Sequence, residues 1–512
     1  MRQFALLTLL LAAGCASFDR AAPYDAVFEA VMAHYDLPGL ALGVIEDGET
    51  VYARTAGELR AGGGAAIDHD TLFKIASNSK AMTASVLARL VDAGKLRWDD
   101  PVVRHLPDFR MYDPWVGRNM QVRDLLVHNS GLPAGAGDLM LWPEPNAFTR
   151  ADIIAGLAHL KPKYGFRAGY AYDNLLYVVA GEVAAAAGGA SYEELVRREV
   201  FEPLGLDCRV GEWHSTDVRN VAQPHMRVDG RNVVVRADGE FVPAITAAAA
   251  GGIRCSLAAM LAWMRAWVAP DERSLAWLSA EERREMWTPR TPMPIGERRR
   301  QWNNTHFYAY GYGFRLADAG GEWTVSHTGT LMGMYSVMVL LPDSRRGFVM
   351  MTNGSGADAR TVLTESLLQV FTAGGEARAP EWYAAELARG STAAGGEDDA
   401  PDTSARVPAA PESARLVSGI WRDPWFGEVS LCAEGAAVRF RAAKSPRLTG
   451  TVMLAQGRYL VDWDDDSVDA EAWLDFADAS AGGGLTMAKV DPRADFSFDY
   501  EDLAFARISD CP

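Results

Sequence analysis

Ser77 and Lys80 stand three residues apart in the stretch Phe73-Lys74-Ile75-Ala76-Ser77-Asn78-Ser79-Lys80. If Ser77 opens a helix, that spacing brings both side chains to one face. The positive end of the helix dipole would favour a developing alkoxide on the serine. The same field and partial burial would draw the Lys80 amine below its ordinary pKa of about 10.4, so that it could take the serine proton. The result is an activated nucleophile of the Ser-Lys kind. Ser-x-x-Lys also occurs on ordinary surface helices, so its meaning depends on context. Two further triplets supply context: Tyr172-Asp173-Asn174 and His327-Thr328-Gly329. Each pattern occurs once in the chain. Taken singly, Tyr172 reads as a buried aromatic, Asn174 as a helix cap and His327 as a structural histidine at a strand end.

The elements that must position these residues follow from periodicity. Met82, Val86, Leu87, Leu90 and Val91 form an apolar stripe behind Ser77, with Gly94 as the stop. Tyr24 to Tyr35 reads as an amphipathic helix. Leu40 to Ile45, Asp47-Gly48 and Val51 to Arg54 read as a hairpin, because Asp-Gly favours the primed turn. Met120 to Pro133 reads as a helix stopped by glycine and proline, and Ile153, Ile154, Leu157 and Leu160 suggest another. Phe166 to Asn174 reads as a loop, followed by helices over Leu175 to Ala187 and Leu257 to Val268. Trp323 to Ser326, Met334 to Leu341 and Gly347 to Thr352 read as strands, and Ala359 to Phe371 as a closing helix. The expected assembly is an antiparallel sheet made from both chain ends, flanked by helices.

Composition then bounds the partners. The chain has 512 residues and a net charge of -17, which predicts two or three domains and argues against nucleic acid as a partner. The apolar run Phe4 to Ala13 is too short to span a bilayer and reads as a signal peptide. Leu11-Ala12-Ala13-Gly14-Cys15 resembles a lipoprotein lipobox, which implies lipidation of Cys15 and export, to the periplasm and the outer membrane. An ordinary signal peptide cut nearby is the alternative. The membrane is expected as a partner only through that anchor. Without Cys15, four cysteines remain, an even number in an exported chain, which permits disulfides. No CxxC or HExxH occurs, so no metal or other cofactor is expected. The expected segments are a signal peptide and tether over 1–22, a catalytic domain over 23–373, a linker over 374–412 and a domain of short strands over 413–512.

Ser-x-x-Lys, Tyr-x-Asn and His-Thr-Gly occur in that order. Supporting stretches are His128-x-Ser130-Gly131-Leu132-Pro133, Ala250-Gly251-Gly252 and Tyr310-Gly311-Tyr312-Gly313-Phe314. On these residues the chain, over about 24 to 371, resembles the class C β-lactamase and penicillin-binding-protein-like serine hydrolases, D-aminopeptidases and carboxyl esterases among them. The resemblance implies an α+β fold of the α/β/α β-lactamase type, an antiparallel sheet flanked by helices with a helical subdomain. The C-terminal part looks like a lipocalin-like accessory barrel. Ser77 would then attack a carbonyl carbon and form an acyl-enzyme. Lys80 and Tyr172 would share the proton work, either being the base. Asn174 would hold Lys80 and the substrate amide, and the Ser77 and Thr330 N–H groups would form an oxyanion hole. His327 and Gly329 would stand on the substrate side. Lysine is usual at position 327 in lactamases, where it meets a carboxylate; histidine is largely neutral at pH 7. The expectation is therefore a peptidase or amidase of small or linear peptides. A carboxyl esterase or weak β-lactamase is the alternative, as is a penicillin-binding or muropeptide-sensing module without turnover. An α/β-hydrolase is disfavoured because no Gly-x-Ser-x-Gly elbow occurs. Trp115, Trp142, Trp302, Tyr308 and Tyr310 are candidate pocket residues.

Overall fold

The computed structural model describes residues 20–512 except 355, 373–377, 394–399, 413 and 478–482. The expected leader and Cys15 lie outside the described residues. Helix α1 (Ala22–Tyr35) buries Tyr24, Val27, Phe28 and Val31, one face at helical spacing. Strands β1 (Gly39–Glu46) and β2 (Glu49–Gly57) form the expected hairpin. Asp47 and Gly48 both take positive φ, 51° and 82°, as a primed turn requires.

Helices α2 (Ser79–Asp92), α3 (Leu175–Gly188) and α4 (Leu257–Val268) follow. Strands β3 (Thr291–Pro292), β4 (Tyr308–Tyr310), β5 (Arg315–Ala319), β6 (Glu322–Leu331), β7 (Met334–Leu341) and β8 (Arg346–Thr352) come next, then helix α5 (Ala357–Thr372). The sheet order is β3-β4-β5-β6-β7-β8-β1-β2, with β1 antiparallel to β8, so both chain ends build one sheet. Strand alternation sorts its two faces. Leu40, Leu42 and Val44 pack with α1 and α5, whereas Ala41 and Ile45 pack with the helices on the other side, α2, α3 and α4 among them.

A small three-stranded sheet joins Phe73–Lys74 to Arg254–Cys255 and Cys208–Arg209, and Cys208 is disulfide-bonded to Cys255. It anchors the segment leading into Ser77. Two elements differ from expectation. Between Met120 and Pro133 only Val122–Leu126 is helical, as a 3-10 turn. His128 takes a positive φ of 56°, and Arg167 binds Asp124 at 2.6 Å, so tertiary contacts fix this stretch rather than a helical ladder. Within the expected linker 374–412 lies helix α6 (Pro380–Ala393), whose Tyr383 is buried beside Trp302.

Eight strands between Gly419 and Ser509 close into an antiparallel barrel, the first (Gly419–Asp423) pairing with the last (Ala504–Ser509). A disulfide joins Cys432 to Cys511. The barrel is not a free appendage. Phe426 packs on Phe148 at 5.7 Å between ring centroids, and Lys444 binds Asp152 at 2.8 Å. The two cores form one apolar cluster.

Candidate active site

Ser77 sits in a 3-10 turn, Ala76–Asn78, which runs directly into α2. Ala76 takes φ 48°, a left-handed conformation costly for a residue with a Cβ. The surroundings hold it. Ile75 N–H donates to Ile253 O at 3.0 Å. Ser336 Oγ donates to Ile75 O and accepts from Asn78 Nδ2, both at 2.8 Å. Gly329 completes the fit: a Cβ there would lie 2.2 Å from Ile75 O. Only glycine lets β6 approach the serine turn this closely.

Lys80, in the first turn of α2, is fully buried. Its Nζ lies 3.1 Å from Ser77 Oγ, 2.8 Å from Asn174 Oδ1 and 2.8 Å from Ala250 O. No carboxylate is in ion-pair contact with it among the described residues. Burial draws its pKa down to about 7, against a smaller opposing pull from Asp138. Nζ also stands 4.9 Å from the centre of the Tyr172 ring.

Tyr172 and Asn174 come from the loop before α3. His128 Nδ1 accepts from the Asp173 N–H at 3.1 Å and its ring lies 4.3 Å from that of Tyr172. Ser130 Oγ donates to Asp173 Oδ2 at 3.2 Å. Asp173 Oδ1 in turn accepts from Leu176 N–H at the start of α3. Capping is thus done by Asp173, which frees Asn174 to reach Lys80 with its oxygen and Asp138 Oδ2 with its nitrogen, at 2.8 Å. Burial pushes the Tyr172 phenol up to about 12, although Arg315 and a hydrogen bond with Ser77 pull the other way.

These residues open on a cleft of about 420 Å³, whose lining includes Ser77, Tyr172, Asn174, Thr328 and Thr330. Strand alternation along β6 aims Thr328 and Thr330 inward and leaves His327 on the opposite face. His327 is fully buried in mid-strand, not at a strand end. Its Nδ1 donates to Thr328 O at 2.7 Å, so its Nε2 accepts from Tyr310 O–H at 2.8 Å. Burial and the nearby cations hold it neutral. The cation that does line the cleft is Arg315 on β5, which donates to Thr328 Oγ1 at 2.6 Å. Its Nε has no hydrogen-bond partner, and no carboxylate is in ion-pair contact with it among the described residues. Of the candidate aromatics, Trp142 lines the cleft, Trp115 is 56% exposed and Trp302 packs on α6. Tyr308 is not among the cleft residues, and Tyr310 is buried against His327. Among the described residues no group of three or more His, Cys, Asp or Glu could hold a metal.

Sequence reasoning missed Asp138, Arg315 and the wall supplied by the barrel. Phe496 meets the Tyr172 ring edge-on at 5.8 Å, and Asp499 accepts from the N–H groups of Gly137 and Leu139. Ser497 Oγ donates at 2.8 Å to Asp138 Oδ2, the same oxygen that takes Asn174. A relay Ser497–Asp138–Asn174–Lys80 therefore runs from the barrel to the nucleophile. Ser497→Ala is expected to lower kcat by about threefold to tenfold, the value of one neutral hydrogen bond, with KM and the melting midpoint little changed. Steady-state kinetics with a thermal melt checks this.

Residues 24–370 match the family model described as Beta-lactamase. The chain is 28% identical over 337 residues to Penicillin-binding protein 4 of Amycolatopsis lactamdurans, covering 64% of this chain and 84% of that one. It is 27% identical over 237 residues to the D-alanyl-D-alanine-carboxypeptidase/endopeptidase AmpH of Escherichia coli strain K12, covering 46% and 58%. It is 31% identical over 243 residues to Esterase EstB of Burkholderia gladioli, covering 44% and 59%. Among solved structures, the octameric penicillin-binding protein homologue from Pyrococcus abyssi superposes with a TM-score of 0.56 at 20% identity, covering 95% of this chain and all of that one. That likeness concerns the fold.

Proposed function

The chain belongs to the beta-lactamase family of serine hydrolases, and from that premise we propose that it is an acyl-enzyme peptidase of small or linear peptides ending in a free carboxylate. The observation that carries this reading is Lys80 Nζ, buried without a carboxylate in contact and 3.1 Å from Ser77 Oγ. Ser77 Oγ attacks the carbonyl carbon as its proton passes to Lys80. The Ser77 and Thr330 N–H groups stabilise the oxyanion. The proton moves on through the Tyr172 hydroxyl to the leaving amine, the C–N bond breaks, and the acyl group stays on Ser77. Water, with its proton taken by Lys80, then releases the acid and restores the serine.

Arg315 supports the carboxylate part of the reading. A half-buried guanidinium beside Thr328, with an unpartnered Nε, matches the free carboxylate of the residue that leaves. It supplies the charge that the neutral His327 does not. The relative AmpH, a D-alanyl-D-alanine-carboxypeptidase/endopeptidase, agrees with peptide cleavage. Export with a lipid on Cys15 belongs to the same proposal.

The test is a matched pair of linear peptides, one with a free C-terminus and one amidated, run beside p-nitrophenyl esters and nitrocefin. The free acid is expected to turn over steadily and faster than the amide. Arg315→Gln should lower kcat/KM for the free acid by about tenfold to a hundredfold and scarcely alter the amide, since a charged hydrogen bond contributes about 1.5–3 kcal/mol. Ester turnover without peptide cleavage would make the protein an esterase. A burst of one equivalent followed by a stall would make it a sensor.

A further inference from the structure

A second cavity, of about 100 Å³, lies beside the catalytic cleft. Leu331 lines both, and Glu144 of the cavity follows Pro143 of the cleft. Three cations face it, Lys74, Arg236 and Arg254, against two carboxylates, Glu144 and Asp238. Arg254 is satisfied by a two-pronged pair with Asp238, at 2.5 and 2.7 Å. Lys74 Nζ and the Arg236 guanidinium take part in no hydrogen bond or ion pair among the described residues. Glu144 and Asp238 attract them through space but make no hydrogen bond or ion pair with either; Glu144 Oε1 is buried without a partner, and burial raises its pKa. Lys74 is drawn down to about 8 by the same burial, yet stays mostly protonated at pH 7. Burying two cations without a hydrogen-bonded or ion-paired partner costs stability that these through-space attractions offset only in part. Trp213 and Phe241 give the cavity apolar walls.

The position says which part of a substrate arrives there. Along β6 the cleft-lining residues run from Thr328 to Leu331. At about 3.3 Å per residue that is roughly 10 Å. Arg315 stands at the Thr328 end, where the proposed function puts the leaving residue. The cavity opens at the Leu331 end, on the side of the acyl group that stays on Ser77. We propose that Lys74 and Arg236 form an anion subsite that takes a carboxylate carried on the acyl side of the substrate. The proposal rests on the acyl-enzyme reading given above. A charged group with a short apolar stem fits both the cations and the aromatic walls.

Achiral esters test this without a choice of stereochemistry. The p-nitrophenyl monoesters of adipate and pimelate carry a terminal carboxylate; the esters of the equally long methyl-terminated acids do not. Release of p-nitrophenol is measured above the Ser77→Ala background. For wild type, kcat/KM is expected to favour the anionic ester of at least one pair by about tenfold, and this ratio should drop about fivefold or more in Lys74→Met and in Arg236→Ala. Arg236 is half-buried, so its variant covers the case in which Lys74→Met does not fold. A wild-type ratio of one or less, or a ratio unmoved in the folded variants, overturns the subsite while the ester turnover still upholds the catalytic reading. No Ser77-dependent release from any ester overturns both.

Discussion

Lys80→Met is expected to lower kcat/KM by about a thousandfold and to remove the acid limb of its pH dependence, because in the proposed mechanism it deletes the base. The three contacts of Nζ fit a neutral amine: two N–H groups donate to Asn174 Oδ1 and Ala250 O, and the lone pair faces Ser77 Oγ. Burial makes that state accessible by bringing the pKa to about 7. Below pH 7 the amine is protonated and has no lone pair for the serine proton. Above it the amine is free. Wild-type kcat/KM should therefore rise through about pH 7 and level off. Tyr172 as the base predicts something else, since its phenol is pushed up to about 12 and the rate would still be climbing at pH 10. A pH profile from 5 to about 10 on wild type separates the two. Methionine keeps the volume and apolar stem, so a melting curve near that of wild type shows that lost activity is chemical.

The sequence allowed some of this and concealed the rest, for reasons that individual residues make plain. Ser77 and Lys80 are readable because both lie in one local segment, where spacing alone brings their side chains together. The hairpin at Asp47-Gly48 is readable for the same reason. Tyr172 and Asn174 are visible as a triplet, but their orientation depends on His128 and Ser130, more than forty positions away. Strand alternation explains the placing of His327: when Thr328 and Thr330 face the cleft, position 327 faces the other way. Arg315 lies one strand over, and Asp138 and Ser497 are 359 positions apart in the chain. No local pattern joins such residues. Ser497 joins Asp138 only where the barrel meets the cleft. The stretch after Met120 holds a single 3-10 turn with His128 at positive φ, and residue spacing does not reveal the distant Arg167 that binds Asp124.

Ser77→Ala should remove turnover altogether, with a loss of at least about 10⁴-fold, and should abolish labelling by a fluorophosphonate. The argument is geometric. The Ser77 side chain lines the cleft, and Lys80 is within 3.1 Å of its oxygen. The turn is held in its costly conformation at Ala76 by Ile253, Ser336 and the Gly329 contact, none of which involves the serine hydroxyl. Alanine should therefore leave the turn and the melting midpoint nearly unchanged. What disappears is the oxygen that the proposed mechanism makes the nucleophile. In wild type, phosphonylation should reach one equivalent, and peptide mapping should find the adduct on Ser77. The rate of labelling should follow the pH dependence set by Lys80, since the same proton must leave. A wild-type protein that folds, admits the reagent and takes no label would contradict the mechanism. So would an adduct on any other serine, because among the described residues no other serine hydroxyl lies in hydrogen-bond contact with a lysine amine.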